Sequence, residues 1–398
     1  MNVRDSEVIC GLLRAASYEL TVDPGEADII IFNTCSVRQH AEDKVWSEVG
    51  RYAKRGTRDE GRGTKERGTP YAVRCTEKIK PIIGIVGCMA QNYQENVFER
   101  APQVDFVVGP SDIHKIPGII KKLSAISYQL SAKSLLETKI WETNGGVRPE
   151  EIYHTGYYED KGHAYVVISE GCSNYCSYCV VPYVRGELRN RPHKEILREI
   201  EDAIGVGITK FTLLGQNVNA YKSPGYQGTK SPVDFIELLR LINDISGLEE
   251  CSFITSHPKD TSLELFQMMV ECEKLKKYLH LPVQSGSDKI LKLMNRGYPK
   301  KLYLDLIESY RKIVKNGVLT TDIIVGFPGE TEEDFQETYD LVKGAQFNAA
   351  FIFKYSPRPH TEALKFPDDV EKKEKERRHR LILELQKTIS KKLTNAIK

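Results

Sequence analysis

The chain has 398 residues, a formal net charge of +2, 40% hydrophobic and 28% charged residues, which fits a globular protein of two or three domains, each able to bury a core. So small a net charge does not by itself mark a nucleic-acid partner. No apolar run approaches the roughly 18 residues of a membrane span, and Arg4, Asp5, Glu7, Arg14 and Glu19 interrupt any signal-peptide core; a cytoplasmic protein, with no membrane partner, is expected.

Residues 1–124 alternate helical and strand patterns as an open α/β domain does. Val8, Ile9, Leu12 and Leu13 mark one face of a first helix. The runs at 27–32 (ADIIIF) and 81–86 (PIIGIV) read as buried parallel strands. Each is followed by a cysteine, Cys35 in Asn33-Thr34-Cys35-Ser36-Val37-Arg38 and Cys88 in Gly87-Cys88-Met89-Ala90-Gln91. Loops after parallel strands gather on one sheet edge, so these two cysteines are expected at a common site. Cys10 lies among apolar helix positions, where a free cysteine usually packs as a small core residue; Cys75 reads as a loop thiol. Basic residues cluster at 51–68 and at 371–398, either as phosphate-contacting surfaces or as solvated faces. Residues 125–162, poor in periodic apolar positions, read as a linker.

From 163 onward strand and helix patterns alternate about six times, with strands expected at 163–169, 209–215, 250–256, 278–284, 319–326 and 348–355 and helices such as 194–206 and 302–316 between them. Repeated βα units predict a parallel barrel, and six are too few for eight-stranded closure, so the barrel is expected to be partial and open. After its first strand come Cys172, Cys176 and Cys179, spaced C-x3-C-x2-C. Three thiols so close cannot all pair as disulfides, and metal is the better reading. A zinc site with His193 as fourth ligand is one form, although closed zinc sites usually bring their cysteines as close pairs. A [4Fe-4S] cube on three sulfurs, with one iron open to a substrate, is the other. Later strand ends carry polar residues at the same rim: Gly215, Gln216 and Asn217; Ser256 and His257; His280 and Gln284; Asp322 and Gly326. Taken singly, His257 or Gln284 reads as a capped turn. Recurrence on four successive strand ends is harder to dismiss.

The C-x3-C-x2-C motif with Tyr178 before its last cysteine resembles the radical S-adenosylmethionine (SAM) superfamily. The resemblance implies that Cys172, Cys176 and Cys179 hold a SAM-binding [4Fe-4S] cluster, that Tyr178 lies near the adenine, and that Gly215, Gln216, Asn217, Ser256, His280, Gln284, Asp322 and Gly326 line the SAM pocket. NTCSVR, GCMAQ, CVVPYVRG, LLGQNVNAY, LHLPVQSGSD and DIIVGFPGET together resemble the MiaB-type tRNA methylthiotransferases across nearly the whole chain. His360, where that branch commonly has glycine, departs from it.

The family resemblance implies an N-terminal Rossmann-like methylthiotransferase domain (1–124) with an auxiliary [4Fe-4S] cluster on Cys35, Cys88 and a third cysteine, then a (β/α)6 barrel (163–367). It implies methylthiolation at C2 of N6-isopentenyladenosine beside the tRNA anticodon. In the family one SAM yields the 5′-deoxyadenosyl radical that removes the C2 hydrogen, and a second SAM supplies the methyl group. The family's first auxiliary cysteine lies in G-C-Q-M-N, whereas this sequence opens at Met1-Asn2; Cys10 is the candidate substitute, and a start placed too far downstream is the simpler expectation. A helix at 368–398 is expected to lead to a TRAM RNA-binding domain that this sequence does not reach. The anticodon loop of tRNA, a flavodoxin or ferredoxin as electron donor, and a monomeric state complete the expectation. Open alternatives are a sister enzyme acting on threonylcarbamoyl-adenosine or a ribosomal-protein aspartate, and a cluster protein that binds RNA or a partner without turnover.

Overall fold

The computed structural model describes residues 1–36, 39–54, 71–73, 81–129, 138–224 and 233–397. Cys75, Val37, Arg38 and most of the basic stretch 51–68 lie outside them. The chain forms two units, one of Met1–Glu159 with Tyr183–Gly186, the other of Asp160–Pro182 with Glu187–Lys398.

The first unit is built on a five-stranded sheet of order β2-β1-β3-β4-β5: β1 (Ile29–Thr34), β2 (Tyr71–Val73), β3 (Ile82–Gly87), β4 (Phe106–Val108) and β5 (Ile140–Glu142). All neighbours are parallel except the edge pair β1–β2. β1 and β3 are runs of branched apolar residues that suit a strand covered on both faces. Ile30, Phe32, Ile83, Ile85 and Val107 join a core with Val49 and Tyr52 of α2 (Gln39–Lys54). Helix α1 (Asn2–Ala15) buries Val8, Ile9, Cys10 and Leu13, while Leu12, expected on the same face, is half-buried.

Among the described residues of the stretch expected as a linker, 125–162, those up to Glu159 belong to the first unit. The first residues of the stretch belong to a helix, Ile116–Gln129, and β5 adds a fifth strand to the sheet. The 3-10 turn Glu150–His154 packs on α1, where Arg4 donates to the carbonyl of Tyr153 at 2.8 Å. The first unit therefore runs to Glu159 rather than 124.

The second unit carries all six expected parallel strands: β6 (His163–Val167), β9 (Lys210–Leu214) and β10 (Glu250–Phe253) form one sheet, and β11 (Tyr278–His280), β12 (Val318–Val325) and β13 (Ala349–Lys354) the other. A parallel bridge, Cys251 to Leu275, and the Ser256 N–H donating to the His280 carbonyl at 3.4 Å join the two halves. The short hairpin β7 (Ser169–Glu170) and β8 (Arg189–Asn190) brackets the cysteine loop. Intervening helices start at side-chain caps, including Asp234, Ser262, Ser287 and a Thr331–Asp334 capping box.

The helix Lys372–Ile397 belongs to this unit rather than standing apart from it. Its buried face is Ile382, Gln386 and Ile389, with Leu381, Leu383 and Leu385 only half-buried. Gln386 donates to the Phe347 carbonyl at 2.8 Å and Ser390 to that of Asn348 at 2.9 Å. Of the basic residues in its first turns, Lys375 pairs with Asp368 and Arg378 with Glu330 and Glu374, which weakens a phosphate role for these two.

Candidate functional site

In the second unit the cysteine loop lies after β6 and β7, at the carboxyl ends of the barrel strands. Gly171 (φ +75°) and Tyr175 (φ +45°) turn the chain back on itself. The loop is tied down from the segment after the Asp288–Leu293 helix: the Ser177 N–H donates to the Met294 carbonyl at 3.0 Å and its hydroxyl to Leu293 at 2.8 Å. Asn295 Nδ2 donates to the carbonyls of Asn174 and Tyr175. Tyr178 packs against Ile290, Met294, Phe327 and Tyr355.

Sequence reasoning missed the residue that touches these cysteines most directly. Arg296, 5% exposed, donates from Nη1 to Cys176 Sγ at 3.3 Å and to Tyr178 Oη at 3.4 Å. Its other nitrogens donate to the Pro282 carbonyl at 3.0 Å and to Tyr298 Oη at 3.2 Å. Burial pushes the Cys179 thiol up to about 12, helped by neighbouring Cys176 and Cys172 and opposed by Arg296. Burial also raises Cys172, again with Cys176 adding to it. The thiols are thus near enough to resist joint ionisation until a cationic centre compensates them.

Among the described residues no group of three or more His, Cys, Asp or Glu side chains is arranged to hold a metal ion. Cys172, Cys176 and Cys179 lie close enough in one loop for each to raise a neighbour's thiol, and three thiols that can each take a different iron are a donor set that fits a [4Fe-4S] cluster. His193 Nδ1 is 2.9 Å from Ser223 Oγ at the start of the helix His193–Gly205, and among the described residues His193 forms no metal-holding group with the three cysteines.

Around the rim, buried polar atoms of Ser169, Gln216, Asn217, Ser256 and His257 have no hydrogen-bond partner among the described residues. Buried groups are normally satisfied, so their gathering at the ends of β6–β7, β9 and β10 suits a polar ligand such as SAM. Gly215 lets β9 approach Ser169, whose hydroxyl a Cβ at 215 would strike. Asn217 Nδ2 donates to Asp260 at 2.6 Å, leaving its oxygen open. His257 accepts the Lys259 N–H on Nδ1, and burial, with Arg296 and Lys259 nearby, lowers its pKa to about 2. The ring is neutral, and its proton sits on Nε2, the unpartnered nitrogen.

His280 and Asp322 are engaged with each other, Nε2 to Oδ2 at 3.4 Å, while His280 Nδ1 meets Thr320 Oγ1 at 3.0 Å. Gln284 is buried at φ +73°, its N–H donating to the Asp322 carbonyl at 2.9 Å. Gly326 does not fit the pocket predicted for it: its N–H donates to Glu330 at 2.9 Å, and the space a Cβ would take holds the Lys375 side chain.

In the first unit, Thr34 and Gly87 are register partners, so Cys35 and Cys88 follow directly on adjacent strand ends. Cys88 Sγ accepts from Arg185 Nε at 3.2 Å; Arg185 Nη2 donates to Asp5 at 2.6 Å, and Arg148 Nη1 to Asp5 at 2.8 Å. Burial alone would raise the Asp5 pKa, but the two guanidiniums hold the carboxyl well below the usual range. Cys10 is fully buried on α1 among its apolar residues, and burial, with Glu159 and Glu7 adding to it, pushes its thiol up to about 12.

Comparison with known proteins places this arrangement. Residues 166–342 match the radical SAM superfamily and residues 1–109 the uncharacterized protein family UPF0004. A tRNA-2-methylthio-N(6)-dimethylallyladenosine synthase of Fervidobacterium nodosum is 39% identical over 398 residues, all of this chain and 83% of the relative. The chain belongs to the radical SAM tRNA methylthiotransferase family. A synthase of the same name from Clostridium botulinum is 41% identical over 376 residues, 93% of this chain and 75% of that protein. Among solved structures, the cobalamin-dependent SAM radical enzyme OxsB with aqua-cobalamin and SAM bound matches at a TM-score of 0.48 and 14% identity, over 94% of this chain and 50% of that one. Membership brings SAM and a [4Fe-4S] cluster as cofactors. No helix among the described residues is long and apolar enough to cross a membrane.

Proposed function

We propose that this chain methylthiolates C2 of N6-isopentenyladenosine in the anticodon loop of tRNA, drawing on SAM. The observation that carries the reading is the Cys172–Cys176–Cys179 loop at the carboxyl ends of six parallel strands, in a chain 39% identical over its full length to a synthase of that name. Cys172, Cys176 and Cys179 would hold the cluster. When bound, cluster and SAM supply the electron and the carbon radical that an unactivated aromatic C–H bond requires. The protein's own part is positioning. Arg296 fixes the loop to the fourth strand end, Tyr178 covers one side of the site, and His257 Nε2–H, Ser256, Gln216 and Asn217 offer polar contacts to SAM.

The reading extends to an auxiliary cluster in the first unit with Cys35 and Cys88 among its ligands, a flavodoxin or ferredoxin as electron donor, a monomer and a cytoplasmic setting. Support for the first of these is the adjacency of the two cysteines on paired strand ends, with Arg185 on Cys88.

The test is nucleoside mass analysis of isopentenylated tRNA after anaerobic incubation with the reconstituted chain, SAM and a reductant. The expected product gains a methylthio group in place of hydrogen, and Cys176→Ala makes none. A methylthio group found only on threonylcarbamoyl-adenosine or on an aspartate would overturn the substrate assignment.

A further inference from the structure

The environment of Arg296 goes beyond anchoring. Its guanidinium is almost fully enclosed, and among the described residues no carboxylate pairs with it; its donors go to a thiol sulfur, two tyrosine hydroxyls and one carbonyl. A buried cation without a carboxylate is costly unless an anion lies beside it. The group that lies beside it is Cys176 Sγ. Tyr298, which carries the guanidinium 5.4 Å from its ring, is itself fixed by donating to the Val283 carbonyl at 2.8 Å. Asn295 (φ +55°) and Gly297 (φ +70°) bend the backbone on either side of Arg296. The charge is therefore held in place and cannot swing to solvent.

We propose that Arg296 is a positioning residue that raises the reduction potential of the cluster on Cys172, Cys176 and Cys179 by donating a charge-assisted hydrogen bond to the Cys176 sulfur. The inference rests on the cluster assignment made above. Reduction adds negative charge to the sulfur cage, and a fixed cation in contact with one of its ligands favours the reduced form, more so where water is excluded. The same nitrogen also reaches Tyr178 Oη, so one side chain couples the ligand sulfur to the aromatic ring that flanks it.

The test is a spectroelectrochemical titration of the reconstituted full-length chain carrying Cys35→Ala and Cys88→Ala, so that one cluster is read. Arg296→Met is expected to keep its iron and to lower the reduced-to-oxidised ratio at fixed potential about tenfold, a shift of about 59 mV for one electron. Arg296→Lys keeps the charge and is expected within about threefold of the parent. A parent-like potential in Arg296→Met overturns the proposal. If Arg296→Met loses its iron, Arg296→Lys decides: a potential near the parent's supports the assignment, and one displaced by tenfold or more, or failure to hold iron, refutes it. A parent chain that takes up no iron at these cysteines would instead remove the cluster assignment itself, and absent methylthiolation with an Arg296-dependent potential would remove only the proposed substrate.

Discussion

Replacing Asp5 by Asn leaves the side chain nearly its own shape and removes the one carboxylate between two buried guanidiniums. Arg148 and Arg185 approach Asp5 at 2.8 and 2.6 Å, and all three side chains are at most 6% exposed. Breaking a buried pair typically costs about 3–5 kcal/mol; here one carboxylate serves two guanidiniums, so a loss of about 3 kcal/mol is expected. At about 1.4 kcal/mol per tenfold, the unfolding equilibrium should move on the order of a hundredfold or more. The assay is built into the chain, whose two tryptophans, Trp46 and Trp141, both belong to the first unit. Urea unfolding followed by tryptophan fluorescence should show a midpoint lowered by about 1 M or more at unchanged slope. The wild-type pH dependence follows from the depressed Asp5 pKa. This contribution is complete above the unfolded carboxylate pKa and is lost as pH falls through the folded one, so Asp5→Asn should also flatten the acid limb. The exposed pair Arg51–Glu48 is the control, with Glu48→Gln expected to cost under about 1 kcal/mol. If Asp5→Asn costs no more than this control, the cluster of charges is not structural and the reasoning fails.

Gly215→Ala should weaken SAM binding and destabilise the second unit by about 1–3 kcal/mol, because the new methyl strikes Ser169; calorimetric titration with SAM giving parent affinity would contradict it. Removing His257, as His257→Gln, should reduce acid sensitivity. The folded ring stays neutral to about pH 2, while the unfolded one charges below roughly 6.5. Stability therefore falls by up to about 1.4 kcal/mol per unit as pH drops below that value, and an unchanged slope in the variant between pH 7 and 5 would refute the assignment. Glu199→Gln removes the carboxylate to which Arg191 donates at 2.6 Å with both side chains buried; a loss of about 3–5 kcal/mol is expected by denaturant titration, and a near-neutral result would show that the pair is not structural. The chain with Cys172, Cys176 and Cys179 all changed to alanine should keep about half its iron and sulfide if the first unit holds a cluster, and none if it does not.

The six barrel strands were legible because each is a short apolar run closed by a polar or glycine-bearing turn, a pattern that burial against helices imposes. β5 was not. It is three residues long, lies at a sheet edge, and exposes Trp141 by 48%, so no apolar period announces it. The antiparallel edge strand β2 hides for a similar reason, inside a stretch dominated by glycine and arginine. The three barrel cysteines stand out by their spacing, and Cys10 lies on a buried helix face, as its apolar neighbours suggest. Arg296 carries no such mark. An arginine following a short helix is ordinarily solvated, and only the folded chain reveals that Tyr298, Pro282 and the cysteine loop close around it. Gly326 shows the opposite failure, a glycine that reads as ligand-facing but makes room for a lysine stem.

The interleaving of the two units along the chain has a practical and an evolutionary consequence. Tyr183–Gly186 leave the second unit four residues after Cys179 and complete the first, bringing Arg185 to Asp5 and Cys88. Residues 1–159 expressed alone would keep the sheet but lose that arginine, so the fragment's behaviour would misreport the cysteine chemistry of the intact protein. By the same logic, gene fusion at residue 159 could not pass the N-terminal half to a new host barrel intact: inheritance of the pair must be joint.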